Sequence, residues 1–200
     1  MLWEKSNKPP SLFEQPARNY DQVRGEAQKC TRCHLREGCQ QVVFGVGNPS
    51  SSLMLVGEGP GAREDELGEP FVGRAGQLLN RILEAINLKR EEVYISNIVK
   101  CRPPSNRQPS PAEMEICMPW LREEFRLIQP RVLVLLGATA YKGLIDPGGK
   151  ITRDRGQWIE KDELLIMPTF HPAALLRDPR KKVPVWEDFQ EIEKVLNSKN

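Results

Sequence analysis

The sequence predicts an α/β protein of three layers, with helices on both faces of a central, mostly parallel four-stranded sheet. Three observations carry this. Four short apolar runs, 52–56, 93–99, 131–136 and 164–167, are nearly continuous rather than alternating, as strands covered on both faces must be. Between them lie segments whose apolar residues recur at helical spacing. Strand and helix alternate along the chain, the order that crossover connections produce. Two hundred residues suffice for one such domain with a substantial core, and no internal repeat is visible.

Taken in order, residues 1–20 hold Pro9, Pro10 and Pro16 among polar residues and read as a poorly ordered leader, leaving 21–200 as a single domain. Residues 21–39 read as a short helix running into Cys30-Thr-Arg-Cys33. The first strand, 52–56, ends at the turn Gly57-Glu-Gly-Pro-Gly61. Leu78, Leu79, Ile82, Leu83 and Ile86 mark an amphipathic helix over roughly 74–87. The second strand, 93–99, runs into a proline-rich loop from Arg102 to Pro109. Ser110-Pro-Ala-Glu113 is a capping box with proline at the first helical position. The helix it opens carries Cys117 and should kink near Pro119. The third strand, 131–136, ends at Gly137 and leads into a helix over 138–145. The fourth, 164–167, delivers Phe170-His171-Pro172, and a helix from Val185 forms the tail.

Composition narrows the function classes. The chain is 39% hydrophobic and 28% charged, as globular proteins are. No apolar run reaches the roughly 20 residues a membrane span needs. Met1-Leu-Trp-Glu-Lys5 lacks the apolar stretch of a secretory signal, so a cytoplasmic protein without membrane attachment is expected. Structural disulfides are rare there, and five cysteines then point to metal or redox chemistry. A net charge of +2 neither requires nor excludes nucleic acid. Any anion site must come from local clusters, of which there are two: Lys100, Arg102 and Arg107 in one loop, Arg177, Arg180, Lys181 and Lys182 in another.

Open α/β sheets bind ligands beyond the carboxyl ends of their strands. Glu58 follows the first strand, Asn97 lies at the end of the second and His171 follows the fourth, so three polar groups converge on one crevice. His171 is one of only two histidines, set between an apolar strand and a rigid proline. Gly57-Glu-Gly-Pro-Gly-Ala62 loosely matches a dinucleotide-binding turn. Pro60 removes a donor from that turn, and Glu58 puts a carboxylate where a pyrophosphate would sit. The turn suits a neutral ligand with donors of its own. Cys30-x-x-Cys33 brings two thiolates within reach of one metal, and Cys101 with Cys117 completes a four-thiolate site if the fold joins the pairs. Zinc and an iron–sulfur cluster both fit such a set, and buried free thiols are the plainer alternative. Cys39 is spare and could compete as a ligand. Cys30-Thr-Arg-Cys33-His34 also matches a haem-attachment pattern, a chemistry of exported proteins and therefore disfavoured. Leu175 and Leu176 read either as helix core or, exposed beside basic residues, as a wedge that unstacks a duplex.

Together these segments resemble the family 4 uracil-DNA glycosylases, the iron–sulfur type. The resemblance rests on Cys30-x-x-Cys33, Gly57-Glu-Gly-Pro-Gly-Ala-Arg-Glu-Asp65, Pro70-Phe-Val-Gly73, Asn97-Ile-Val-Lys-Cys-Arg-Pro-Pro104, Cys117 and His171-Pro-Ala-Ala-Leu-Leu-Arg177, in matching order and spacing from about residue 27 onward. It implies a DNA-repair hydrolase that cuts the N-glycosidic bond of uracil in single- or double-stranded DNA, releases uracil and acts as a monomer. It implies a [4Fe-4S] cluster on Cys30, Cys33, Cys101 and Cys117, with Cys39 a non-ligand. Uracil would stack on Phe71, with Asn97 reading its Watson–Crick edge, His171 facing O2, and the backbone near Glu58 and Gly59 lining the pocket. The Glu64/Asp65 segment is the candidate wall against the methyl of thymine. Glu58, Asp65 or Asn106 would orient the attacking water, since Gly59 stands where family 1 enzymes carry an aspartate. Arg102, Arg107 and Arg177 would hold phosphates, and Leu175 or Leu176 would fill the vacated stack. Ala174 and Asp178 depart from the aromatic residue and the asparagine common at those places. The rival reading is a non-catalytic iron–sulfur DNA-binding module of the same fold.

Overall fold

The computed structural model describes residues 18–198. Most of the expected leader, residues 1–17, therefore lies outside the described residues, but its end belongs to the fold. The Asn19 side chain accepts the Gln22 N–H and the Gln22 side chain accepts the Asn19 N–H, a capping box that starts α1, Tyr20–Gln28. The chain then turns through the cysteine pair into the short α2, Leu35–Gly38. The one helix expected over 21–39 is thus two, broken where Cys30 and Cys33 must turn inward.

The remaining elements are β1 (Val46–Gly47), β2 (Leu53–Gly57), α3 (Ala62–Leu67), α4 (Arg74–Glu84), β3 (Tyr94–Asn97), α5 (Pro111–Ile128), β4 (Val132–Leu136), α6 (Ala138–Leu144), α7 (Ile151–Asp154), β5 (Ile159–Lys161), β6 (Leu164–Thr169), α8 (Pro172–Arg177) and α9 (Lys182–Asn197). The sheet order is β1-β3-β2-β4-β6-β5. The four expected strands are β2, β3, β4 and β6, all mutually parallel, and they form the centre. Two antiparallel edge strands, β1 and β5, widen the sheet to six. They escaped the sequence reading because neither is an apolar run: β1 has two residues, and β5 reads Ile-Glu-Lys with no fully buried position.

Period-2 alternation sorts the central strands between two cores. Met54, Val56, Tyr94, Leu133, Leu135 and Ile166 face α1, α5 and α6, whereas Leu53, Leu55, Ile95, Val132, Val134 and Met167 face α4, α8 and α9. α5 stays helical through Pro119, which removes one donor without ending the helix. The carboxyl ends of β2, β3, β4 and β6 all open on one side, and the connections diverge at β2, with β3 on one flank and β4 on the other. That is where an open α/β sheet leaves a crevice.

Candidate active site

A cleft of about 530 Å³ occupies that crevice. Its most buried polar residue is Asn97, the last residue of β3, which is 2% exposed. Asn97 sits beside Gly57 in register, and the Asn97 Oδ1 has no hydrogen-bond partner among the described residues. A buried acceptor left unpaired costs about 1–3 kcal/mol, so a protein keeps one where a ligand completes it. Gly57 lets the walls close in: a Cβ there would stand 2.5 Å from Asn97 Oδ1 and 2.6 Å from Phe71 Cζ.

Phe71 forms the adjoining wall. It is buried, with φ +54°, a left-handed conformation unusual for an aromatic residue. Three contacts hold it there. Arg90 donates to the carbonyls of Pro70 and Phe71. Glu64 Oε1 accepts the N–H groups of Val72 at 3.0 Å and Gly73 at 2.8 Å. Gly76 on α4 lies so close that a Cβ would be 1.7 Å from the Phe71 carbonyl oxygen. The Phe71 ring stacks on His171, with centroids 5.4 Å apart and planes 28° apart.

His171 leaves β6 and caps α8. Its Nδ1 accepts the Ala173 N–H at 3.1 Å, which assigns the ring proton to Nε2. Burial, with a contribution from the Arg177 cation and against the pull of Glu64, pushes its pKa down to about 4. The imidazole is therefore neutral at pH 7 and still a donor. Gly137 ends β4 at φ +96°, and a Cβ there would be 2.9 Å from His171 Cβ.

Glu58 lines the opposite side, where its carboxylate accepts from the Thr139 hydroxyl, which in turn accepts from Gln108 Nε2. Thr139 and Gln108 were missed by sequence reasoning. Thr139 lies three residues past the end of β4, so the strand-end rule applied to the third strand would have found it. Gln108 sits in an irregular loop and carried no such signal.

The other expected site residues divide. Gly59, Glu64, Asn106, Arg107 and Arg177 line the cleft; Arg102, Asp65, Leu175 and Leu176 do not. Asp65 is corrected outright as a water-orienting or wall residue. It is 2% exposed, and its Oδ1 accepts the N–H groups of Gln40 at 2.8 Å and Gln41 at 3.3 Å, so its carboxylate braces the segment after the cysteine pair. Glu64 is a brace too: besides Val72 and Gly73 it accepts the Gly61 N–H at 3.1 Å, which occupies both oxygens. Leu175 is 1% exposed and packs in the core, so of the two leucines only Leu176, 38% exposed, is available as a wedge. Arg107 pairs with both oxygens of Glu113, and Arg102 Nε donates to Asn106 Oδ1 at 2.8 Å. Lys100, grouped with them by sequence, is buried.

A second, small cavity of about 10 Å³ lies behind the sheet end. Cys30, Cys33, Cys101 and Cys117 all line it, with Trp120 and Ile116; Cys39 does not. The Lys100 backbone N–H donates to Cys117 Sγ at 3.3 Å. Burial raises the Cys101 thiol and pushes Cys117 up to about 11. Among the described residues no three Cys, His, Asp or Glu side chains are grouped tightly as ligands of one ion. His34 is engaged elsewhere, its Nε2 2.7 Å from Glu113, away from the role a haem-attachment histidine would take.

No described helix is long and apolar enough to cross a membrane. The family model for the Uracil DNA glycosylase superfamily matches residues 44–192. The type-4 uracil-DNA glycosylase of Thermotoga maritima is 42% identical over 181 residues, 87% of this chain and 93% of that one. That of Saccharolobus solfataricus is 38% identical over 190 residues, 90% and 88% of the two chains. A crystal structure of Pedobacter heparinus SMUG2 shares the fold, with a TM-score of 0.50 at 14% identity over 74% of this chain and 77% of that one. The matched residues contain the whole cleft and both of its glycine-tightened walls, and on that ground the chain belongs to the uracil DNA glycosylase superfamily.

Proposed function

We propose that this enzyme excises uracil from DNA by reading the flipped base with Asn97, stacking it on Phe71 and stabilising its departure through His171. The observation that carries the reading is the unpaired Asn97 Oδ1 at the floor of the cleft. Uracil offers a donor at N3 and an acceptor at O4. One amide held in one orientation satisfies both, its oxygen taking N3–H and its nitrogen giving to O4. Cytosine presents the reverse pair and frustrates both contacts, a mismatch that discriminates by about 10⁴-fold or more.

Cleavage of the bond to C1′ leaves positive charge on the sugar and negative charge on the base, spread over O2. Neutral His171, with its proton fixed on Nε2, donates to that oxygen as it gains charge. Its pKa of about 4 means no proton is transferred at neutral pH; the imidazole works as an oriented dipole. Glu58, held by Thr139, is the carboxylate that remains to orient water, because Asp65 points away and Asn106 is bonded to Arg102. Arg177 and Lys181 at the cleft, with exposed Leu176 nearby in sequence, form the DNA-facing rim, so binding should weaken as salt rises.

The four cysteines fit a [4Fe-4S] cluster. They are an all-thiol set around a single cavity, with no carboxylate or imidazole among them. Four thiolates are the donor set that such clusters take. Such a group supplies a cross-link between the N-terminal turn, the exit of β3 and α5; none of the cleft residues is among its ligands.

The test is incubation with a uracil-containing oligonucleotide followed by alkaline cleavage of abasic sites. Uracil-dependent scission is expected; intact DNA at full DNA binding would establish the non-catalytic DNA-binding module instead. Iron and acid-labile sulfide analysis of anaerobically prepared protein should give a cluster's complement, and zinc alone would overturn that assignment. Cys101→Ala should lose iron and melt at lower temperature, while the fraction that stays folded keeps its cleavage rate.

A further inference from the structure

We infer that Lys100 is a positioning residue for uracil recognition, acting through a buried ion pair with Glu124 that fixes the backbone carrying Asn97. The inference rests on Asn97 as the base reader and goes beyond it to what sets the reader's aim. Lys100 is 1% exposed and Glu124 0%, which makes them among the few ionisable side chains sealed in this core. Charged side chains are almost never fully buried unless paired, and burying such a pair is seldom a net gain in stability. Its geometry points to a local task. Lys100 Nζ donates to the Asn97 backbone carbonyl at 2.8 Å, to Ser96 Oγ at 2.6 Å and to Glu124 Oε2. Ser96 Oγ also donates to Glu124 Oε2 at 2.8 Å, and the other carboxylate oxygen accepts the Gly45 N–H at 2.7 Å and the Tyr94 hydroxyl at 3.3 Å.

The Asn97 oxygen has no hydrogen-bond partner among the described residues, so no hydrogen bond at that atom fixes its direction. Its direction follows from the main chain at the end of β3. Beyond that point the chain is still held on the β2 side, where Ile98 and Val99 donate to the carbonyls of Gly57 and Glu58. The carbonyl of Asn97 itself is taken by the ammonium of Lys100. Lys100 is immobilised in turn through its own backbone: its N–H meets Cys117 Sγ, and its carbonyl accepts the Val43 N–H at 2.7 Å. Every polar atom of Lys100 is therefore committed, and the reader hangs from a fixed point.

The double variant Lys100→Met/Glu124→Gln removes the charges together, avoiding a lone buried ion, and retains an acceptor for Gly45 and a donor or acceptor for Ser96. With Asn97 loosened by about an ångström, kcat on uracil-DNA and the affinity for free uracil as inhibitor should each fall by about 10- to 100-fold, with KM for DNA unchanged. A pair that merely holds the fold together would shift the melting temperature and leave uracil affinity and kcat at wild-type values, and that result would overturn the inference. Ser96→Ala keeps the ion pair while removing one of the ammonium's three acceptors. It should show the same pattern at smaller size, and if the double variant does not fold, an unchanged uracil affinity in Ser96→Ala decides against the inference. Asn97→Ala run in parallel separates the two ideas: wild-type activity there refutes Asn97 as reader, whereas loss there with an unaffected double variant refutes Lys100 alone.

Discussion

Asn97→Ala should lower kcat/KM on uracil-containing DNA by about 10²- to 10⁴-fold, the loss of two hydrogen bonds worth about 1.5–3 kcal/mol each when the base carries charge. The more telling half of the expectation is stability. Asn97 is 2% exposed, and its Oδ1 has no hydrogen-bond partner among the described residues. Removing an unsatisfied buried acceptor relieves a cost, so the variant should melt at or above the wild-type temperature, even though shortening a buried side chain usually destabilises. Single-turnover cleavage and thermal melting measure the two halves. Activity within about tenfold of wild type, or a clear loss of stability, would show that the amide is a structural residue and not one held for a ligand.

His171→Ala should cost about 10²- to 10³-fold in kcat, the usual loss when one donor to a developing oxyanion is removed, with DNA affinity little changed. Because the pKa of His171 is pushed down to about 4, the ring is already neutral above pH 5, and kcat should show no His171 titration between about pH 5.5 and 8. A general acid would give the opposite, a rate falling as pH rises through 6–7. The same shift has a thermodynamic sign. In the unfolded chain the imidazole titrates near 6.5, so between that value and about 4 the unfolded state holds the extra proton. Stability should therefore fall as pH is lowered through this window, and His171→Ala should flatten that slope. A wild-type profile bearing a pKa near 6.5 that vanishes in the variant would refute the neutral-donor role.

The legible parts of this protein were those where one physical rule acts alone. Strands covered on both faces must be apolar throughout, so β2, β3, β4 and β6 stood out, and the strand-end rule then placed Glu58, Asn97 and His171 at one crevice. The edge strands were hidden because one-sided burial leaves no apolar run in two or three residues. Asp65 misled because a carboxylate in sequence does not say what it accepts from; it is spent on backbone N–H groups, as Glu64 also is while still lining the cleft. Leu175 and Leu176 are adjacent on a helix and so face different ways, which only the packing of α8 resolves. Lys100 looked like surface charge since its partner, Glu124, is 24 residues away, on another element.

Phe71 holds a conformation that most aromatic residues avoid. The strain, of order 1–3 kcal/mol, is met by the folding free energy through Arg90, Glu64 and the close approach of Gly76. Robustness and recognition therefore pull on the same residue from opposite sides. Selection for heat tolerance alone would favour glycine at position 71, relaxing the backbone and erasing the stacking surface. If Phe71 is the stacking surface, its strained backbone sets a ceiling on how far this scaffold can be stabilised without weakening recognition.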